Sequence, residues 1–186
     1  QEVPALVQRD GQLSTMRLHW GLVPTWAKDR KMSFRLINAR TETVAQKASF
    51  RSAFRQRRCL ILADGYYEWV NRAGTKQPWY ICHQPHRPFA FAGLWESWSS
   101  SDGPPYYSCS IITCAANTDL EALHHRMPVI LPRIEYDTWL DTESTQEQLG
   151  RLLKPAANGI FGAVAISTFV NSPAHDGPDC VTQLHA

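Results

Sequence analysis

Between residues 59 and 96 four short apolar runs follow one another with turn residues between them, and this spacing constrains the fold more than any other feature of the chain. The runs are 59–63, 66–70, 78–83 and 89–96, separated by Asp64-Gly65, by 71–77 with Gly74 inside it, and by His86-Arg87-Pro88. Each is of strand length, and the Gly, Pro, Asn and Asp between them supply turns. Four strands in succession predict an antiparallel meander. Residues 106–114 form the most β-prone run, and 13–23 alternates loosely (Leu13, Met16, Leu18, Trp20, Leu22) between a turn at Asp10-Gly11 and a stop at Pro24. Further strands are expected at 34–37, 129–131 and 160–170.

Helical signals are fewer. Thr41 reads as a cap with Glu42 in the first turn, and Val44, Ala45, Ala48, Phe50, Ala53 and Phe54 fall near helical spacing, with Lys47, Arg51 and Arg55 on the other face. Residues 117–124, 132–140 and 145–153 also read as helices, whereas 97–105 and 171–178 read as loops. Strands and helices mix without βαβ alternation or internal repeat. The expected class is α+β, with a mainly antiparallel, curved or barrel-like sheet and several flanking helices.

A length of 186 residues with 44% hydrophobic content suits one core, so a single domain over 1–186 is expected. No stretch has the apolar length that a bilayer requires, and Gln1-Glu2-Val3-Pro4 has neither a basic leader nor an apolar signal core. A soluble cytoplasmic protein is expected. The five cysteines (Cys59, Cys82, Cys109, Cys114, Cys180) make no C-x-x-C pair, and four lie in apolar runs. Cys82-His83 with His86 lacks a second ligand pair, so neither disulfides nor a metal are expected.

Charge is unevenly spread. Residues 28–58 hold ten lysines and arginines against Asp29 and Glu42, although the whole chain is only +2. That stretch fits either a phosphate-binding footprint or a solvated basic helix face.

Three local settings could carry chemistry. Glu68 lies among Tyr66, Tyr67 and Trp69, and strand alternation places it with Tyr66, opposite Tyr67 and Trp69. It is either an outward strand glutamate or a desolvated carboxylate with a raised pKa, able to move protons near neutrality. His124 and His125 end a predicted helix, where a cap or core role is the simpler reading. Asn38, between Ile37 and Ala39, is a turn-former or a buried amide needing partners, and its apolar neighbours favour the latter.

Eight motifs in order give these residues a context. They are Trp20-Gly21-Leu22-Val23-Pro24-Thr25-Trp26-Ala27-Lys28, Asn38-Ala39-Arg40-Thr41-Glu42-Thr43, Arg57-Arg58-Cys59-Leu60, Ala63-Asp64-Gly65-Tyr66-Tyr67-Glu68-Trp69, Phe91-Ala92-Gly93-Leu94-Trp95, Thr113 with Ala115-Ala116-Asn117, His124-His125-Arg126-Met127-Pro128, and Asp176-Gly177-Pro178. Together they resemble the SOS-response-associated peptidase (SRAP) family over nearly the whole chain. The resemblance implies a trap for abasic sites in single-stranded DNA. By that resemblance a cysteine exposed by autoproteolytic removal of the initiator Met would condense with the ring-opened sugar to give a thiazolidine. By the same resemblance Asn38 would hold the crosslinked residue, Glu68 would shuttle protons, and His124 would assist. Arg40 and Arg126 would contact phosphates, Trp20 and Trp69 would line the DNA groove, and Thr113 would lie near the site. No metal or small-molecule cofactor is implied, and the partner would be DNA, met by a monomer near the nucleoid.

One departure bears on activity. The family begins Met-Cys-Gly-Arg, whereas this sequence begins Gln1-Glu2-Val3-Pro4 and first reaches a cysteine at Cys59. Cys59 has no free α-amine and lies in an apolar strand. The expectation is therefore a domain truncated at its amino end, which would not form the thiazolidine as written. Alternatives are a non-catalytic single-stranded DNA-binding module and a peptidase acting on other proteins, the latter without a readable Ser/His/Asp arrangement.

Overall fold

The structure, a computed structural model, describes residues 1–9, 11–72, 74–100 and 103–184. Its first elements are β1 (Glu2–Arg9), β2 (Gln12–Trp20), β3 (Asn38–Arg40), α1 (Arg51–Gln56), β4 (Arg58–Ala63), β5 (Gly65–Arg72) and β6 (Thr75–His83). There follow β7 (Phe89–Trp98), β8 (Tyr106–Ala115), β9 (Arg126–Pro128), β10 (Ile130–Leu131), α2 (Tyr136–Leu140), α3 (Gln146–Leu152) and β11 (Phe161–Ala165). The α+β class holds. Among the described residues no helix is long and apolar enough to cross a membrane. Asp10, Ala73, Ser101 and Asp102, which fall in expected turns and loops, lie outside the described residues.

Packing divides the chain into two compact units. The first comprises Gln1–Ala63, Phe89–Cys114 and Pro128–Pro155. Its sheet runs β10-β7-β4-β1-β2-β8-β3, and an added β7–β8 pairing closes a circuit through β7, β4, β1, β2 and β8. Closure depends on a short parallel contact, His19 with Ser108 and Trp20 with Cys109, so the sheet is ring-like without being a regular barrel. Alternation decides what fills it: Ala5 and Val7 of β1 and Leu18 of β2 are fully buried, as are Cys59, Leu60 and Ile61 of β4 to within 2%. Gly93 makes room for β4, since a Cβ there would stand 2.7 Å from the Ile61 side chain and 2.8 Å from Cys59 Sγ.

The second unit comprises Asp64–Pro88, Ala115–Met127 and Ala156–Ala186. Its core is an antiparallel sheet in the order β11-β6-β5. Tyr67 faces Tyr80 across β5–β6, Glu68 faces Trp79, and Val164 of β11 faces Tyr80 from the other side.

The four-strand meander is corrected. β4 pairs with β7 and with β1, while β5 and β6 form a hairpin in the other sheet. β4 needs covering strands on both edges because its first four residues are all buried, and one of its neighbours is β1, which sequence patterning did not mark. Residues 34–37 are likewise not a strand. A 3-10 helix spans Arg30–Arg35, begun by Asp29, whose carboxylate accepts from the Lys31 N–H at 2.8 Å. The helix expected from Thr41 reduces to turns and then α1, although Val44, Phe50, Ala53 and Phe54 are buried as their spacing required. Residues 117–124 are turns, and a 3-10 turn, Thr168–Asn171, follows β11 where strand was expected. The third helix starts as predicted, with Thr145 and Gln148 forming a reciprocal capping box.

Candidate functional site

In the first unit β2 and β3 both run parallel to β8 and end beside it. Ala39 is fully buried, so alternation turns Asn38 and Arg40 outward, and both are exposed. The buried amide expected at Asn38 is thereby corrected: the residue caps a three-residue edge strand, whose apolar neighbour Ala39 alone faces inward. β3 pairs with β8 from Asn38–Ile111 to Arg40–Thr113, and Thr41 N–H donates to the Thr113 carbonyl at 3.0 Å. Thr113 is buried, with Oγ1 3.5 Å from the Ala39 carbonyl. Trp20 ends β2, and its Nε1–H donates to the Ile37 carbonyl at 2.9 Å. Trp20, Asn38, Arg40 and Thr113 therefore converge on one edge of β8.

The basic stretch has two fates. Arg58 is only 3% exposed and donates to the carbonyls of Trp139, Phe54, Arg55 and Asp141. Arg57 pairs with buried Glu96 at 2.8 Å. These two arginines are structural. Arg30, Lys31, Arg35 and Arg40 stay exposed, interleaved with Trp26, Phe34 and Ile37, of which Phe34 is 81% exposed.

In the second unit β5 places Glu68 on the face of Tyr66, with Trp79 and Ile81 opposite on β6. The Glu68 side chain is 23% exposed, and burial raises its pKa, partly opposed by the neighbouring imidazole of His124. Glu68 Oε1 lies 3.7 Å from His124 Nδ1, too far for a hydrogen bond but close enough to couple their charges. His124 Nδ1 is 2.9 Å from the Arg126 carbonyl and 3.2 Å from the Arg126 N–H. Nδ1 thus faces both backbone groups of Arg126, donating to the carbonyl in one tautomer and accepting from the N–H in the other.

The turn bearing His124 is anchored by Asn117, whose side chain accepts from Leu120 N–H at 3.2 Å and donates to the Ala156 carbonyl at 3.0 Å. Asp119 accepts from Gly159 N–H, and Asn158 donates to Thr118. Glu68, His124 and Arg126 are thus brought together. Trp69, one residue on, points to the opposite face and is 42% exposed. Its ring lies 6.1 Å from Tyr67, and its Nε1–H donates to Asn171 Oδ1 at 2.7 Å.

Two features escaped the sequence reading. Asn171 is 102 residues from Trp69, and no spacing signal links them. The Tyr80 phenol is pushed up to about 12, mainly by burial, with the negative charge of Asp64 adding to the rise.

The comparisons decide the family. The family model described as SOS response associated peptidase (SRAP) matches residues 1–173. This chain belongs to the SRAP family. Among SRAP relatives, the abasic site processing protein YoqW of Bacillus subtilis is 42% identical over 167 residues, covering 89% of this chain and 75% of the relative. The abasic site processing protein HMCES of Gallus gallus is 36% identical over 206 residues, covering 96% of this chain and 61% of the relative. A solved structure of a protein from Bacteroides thetaiotaomicron superposes with a TM-score of 0.87 at 28% identity, covering 100% of this chain and 82% of that one. The SRAP motifs fall in both units: Trp20, Asn38, Arg40 and Thr113 in the first, Glu68, Trp69, His124 and Arg126 in the second.

Proposed function

We propose that this SRAP protein recognises abasic sites in single-stranded DNA and supplies the acid–base groups for their capture as a thiazolidine. The observation that carries the reading is the Glu68–His124 pair, a partly buried carboxyl with a raised pKa 3.7 Å from an imidazole whose Nδ1 is held by the backbone. The relatives named as abasic site processing proteins supply the substrate class.

The chemistry balances with one water released. The α-amine of an amino-terminal cysteine attacks C1′ of the ring-opened sugar, and a general acid protonates the departing hydroxyl as the Schiff base forms. The thiol sulfur then adds to the same carbon, and its proton passes to a base. Glu68 suits the acid step because burial raises its pKa and so favours the protonated form, and the His124 imidazole beside it offers a proton acceptor. Asn38 would hold the captured residue, Arg40 and Arg126 would neutralise phosphates, and Trp20 and Trp69 would stack on bases, with Thr113 bracing β3. No metal or small-molecule cofactor enters these steps. The reading places the protein in the cytoplasm, at the nucleoid, acting as a monomer on DNA.

The five cysteines present are all buried, and burial raises the Cys59 thiol far above its usual range. None is placed to serve as the nucleophile. The test is the protein carrying Cys-Gly-Arg ahead of Gln1, mixed with an oligonucleotide containing an abasic site. A denaturant-resistant DNA–protein species is expected, lost in Glu68→Gln; no such species at any pH overturns the crosslinking reading. The exposed aromatic and basic side chains of 26–40 also favour reversible DNA binding by the 186 residues themselves, measurable without the cysteine.

A further inference from the structure

Trp69 is exposed, yet its indole is not left to rotate. Its Nε1–H donates to Asn171 Oδ1 at 2.7 Å, and Asn171 Nδ2 donates to the Lys76 carbonyl of β6 at 3.2 Å. The two bonds fix the amide's orientation, since an indole can only donate and a carbonyl can only accept. Asn171 itself is held by a self-bonded hook. Ser167 Oγ accepts from Phe169 N–H, His175 N–H donates to the Ser172 carbonyl, and the Phe169 and His175 rings stack with centroids 3.7 Å apart. On the other side Ser167 N–H donates to the Thr182 carbonyl at 2.8 Å. The carboxy-terminal segment thus reaches back to one side chain of β5.

From this relay the geometry points to Asn171 as a positioning residue that locks the Trp69 indole in one orientation for stacking on a DNA base. The inference rests on the proposed DNA-binding reading and adds to it the source of the platform's rigidity. A free surface indole samples several rotamers and loses that freedom when a base stacks on it. An indole already held loses less, so affinity rises without a new contact to DNA.

The test has two arms in the full chain. In the first, Trp69→Phe identifies the Trp69 signal among the indole N–H resonances of the seven tryptophans. Asn171→Leu should shift that signal and speed its exchange with water, while Asn171→Asp, which keeps an acceptor, should restore slow exchange. An unchanged shift and exchange rate in Asn171→Leu overturns the inference.

The second arm measures affinity for a single-stranded oligonucleotide bearing a tetrahydrofuran abasic analogue, which has no aldehyde and so reports binding alone. Asn171→Leu should weaken binding by about three- to tenfold, and this loss should vanish in a Trp69→Phe background. Loss of the same size in both backgrounds marks a merely structural role and overturns the inference. If Trp69→Ala weakens binding and Asn171→Leu does not, the inference fails while the DNA-binding reading stands. If Trp69→Ala has no effect, stacking on Trp69 fails, and Asn171's part in binding fails with it.

Discussion

His124 Nδ1 lies 3.7 Å from Glu68 Oε1, and the same nitrogen is 2.9 Å from the Arg126 carbonyl. The imidazole is therefore held by its own backbone and stands beside the carboxylate without a hydrogen bond to it. Glu68 sits on a strand, His124 on a turn anchored by Asn117, and each keeps its place without the other. The pair can exchange a proton with a substrate without first breaking a bond between its members.

Glu68 makes stability depend on pH in a definite direction. Its folded-state pKa is raised, chiefly by burial, so the folded protein binds this proton more tightly than the unfolded chain. The associated stability is fully present below the unfolded pKa and is lost as pH rises through the higher folded value. Glu68→Gln cannot ionise and should not show this loss. Urea unfolding across that window should give curves for the two proteins that converge at acid pH and separate above it, wild type lower. Parallel curves would show that Glu68 is not perturbed.

Arg58 should matter to folding more than its place in a basic stretch suggests. Its guanidinium reaches four backbone carbonyls, those of Trp139 at 2.6 Å, Phe54 at 2.7 Å, Arg55 at 2.8 Å and Asp141 at 2.5 Å. Lysine keeps the charge but cannot span this fork. Arg58→Lys should lower unfolding free energy by about 3 kcal/mol, because buried carbonyls lose their donors. Arg55→Lys, on the exposed side of α1, should change it by less than about 0.5 kcal/mol. Chemical denaturation of the two variants checks both values.

Most strand runs are legible in the sequence, β1 and the 34–40 stretch being exceptions, whereas their partners are not. The run 59–63 has a period and length that identify a strand, yet its neighbours β1 and β7 are fixed by burial on both edges, which local sequence does not encode. The Thr145 capping box was readable because its partners are three residues apart. The stretch from Thr41 misled because apolar spacing near 3.6 can also be met by successive turns that bury Val44 and Phe50. The motif residues were found through their resemblance to a family. The apolar neighbours of Asn38 suggest burial, whereas an edge strand sends alternate residues outward. The Trp69–Asn171 bond could not be read at all.

Gly65 is required by packing rather than by its backbone angles. A Cβ at this position would stand 2.2 Å from the Tyr80 ring, which lies across β5 against Tyr67 at 5.6 Å. Gly65→Ala must displace that ring. The expected loss is about 1–3 kcal/mol in thermal or urea unfolding. In a Tyr80→Leu background the space is open, and the same substitution should then cost less than about 0.5 kcal/mol. Equal costs in both backgrounds would remove Tyr80 as the cause.

Arg40 gives the DNA-binding reading its sharpest quantitative test. It projects outward from β3 beside Asn38, in a region where Arg57 and Arg58 are already committed to Glu96 and to backbone carbonyls. If Arg40 neutralises one phosphate, Arg40→Ala should weaken binding to single-stranded oligonucleotides and reduce the slope of log affinity against log salt by about 0.7. Arg126→Ala should do the same from the second unit. Arg57→Ala is the control: its guanidinium is occupied by Glu96, so it should lower stability and leave the salt slope unchanged. Fluorescence titrations from low to moderate salt would separate the three. An Arg40→Ala slope equal to wild type would place the DNA backbone elsewhere on the protein, however much affinity had fallen.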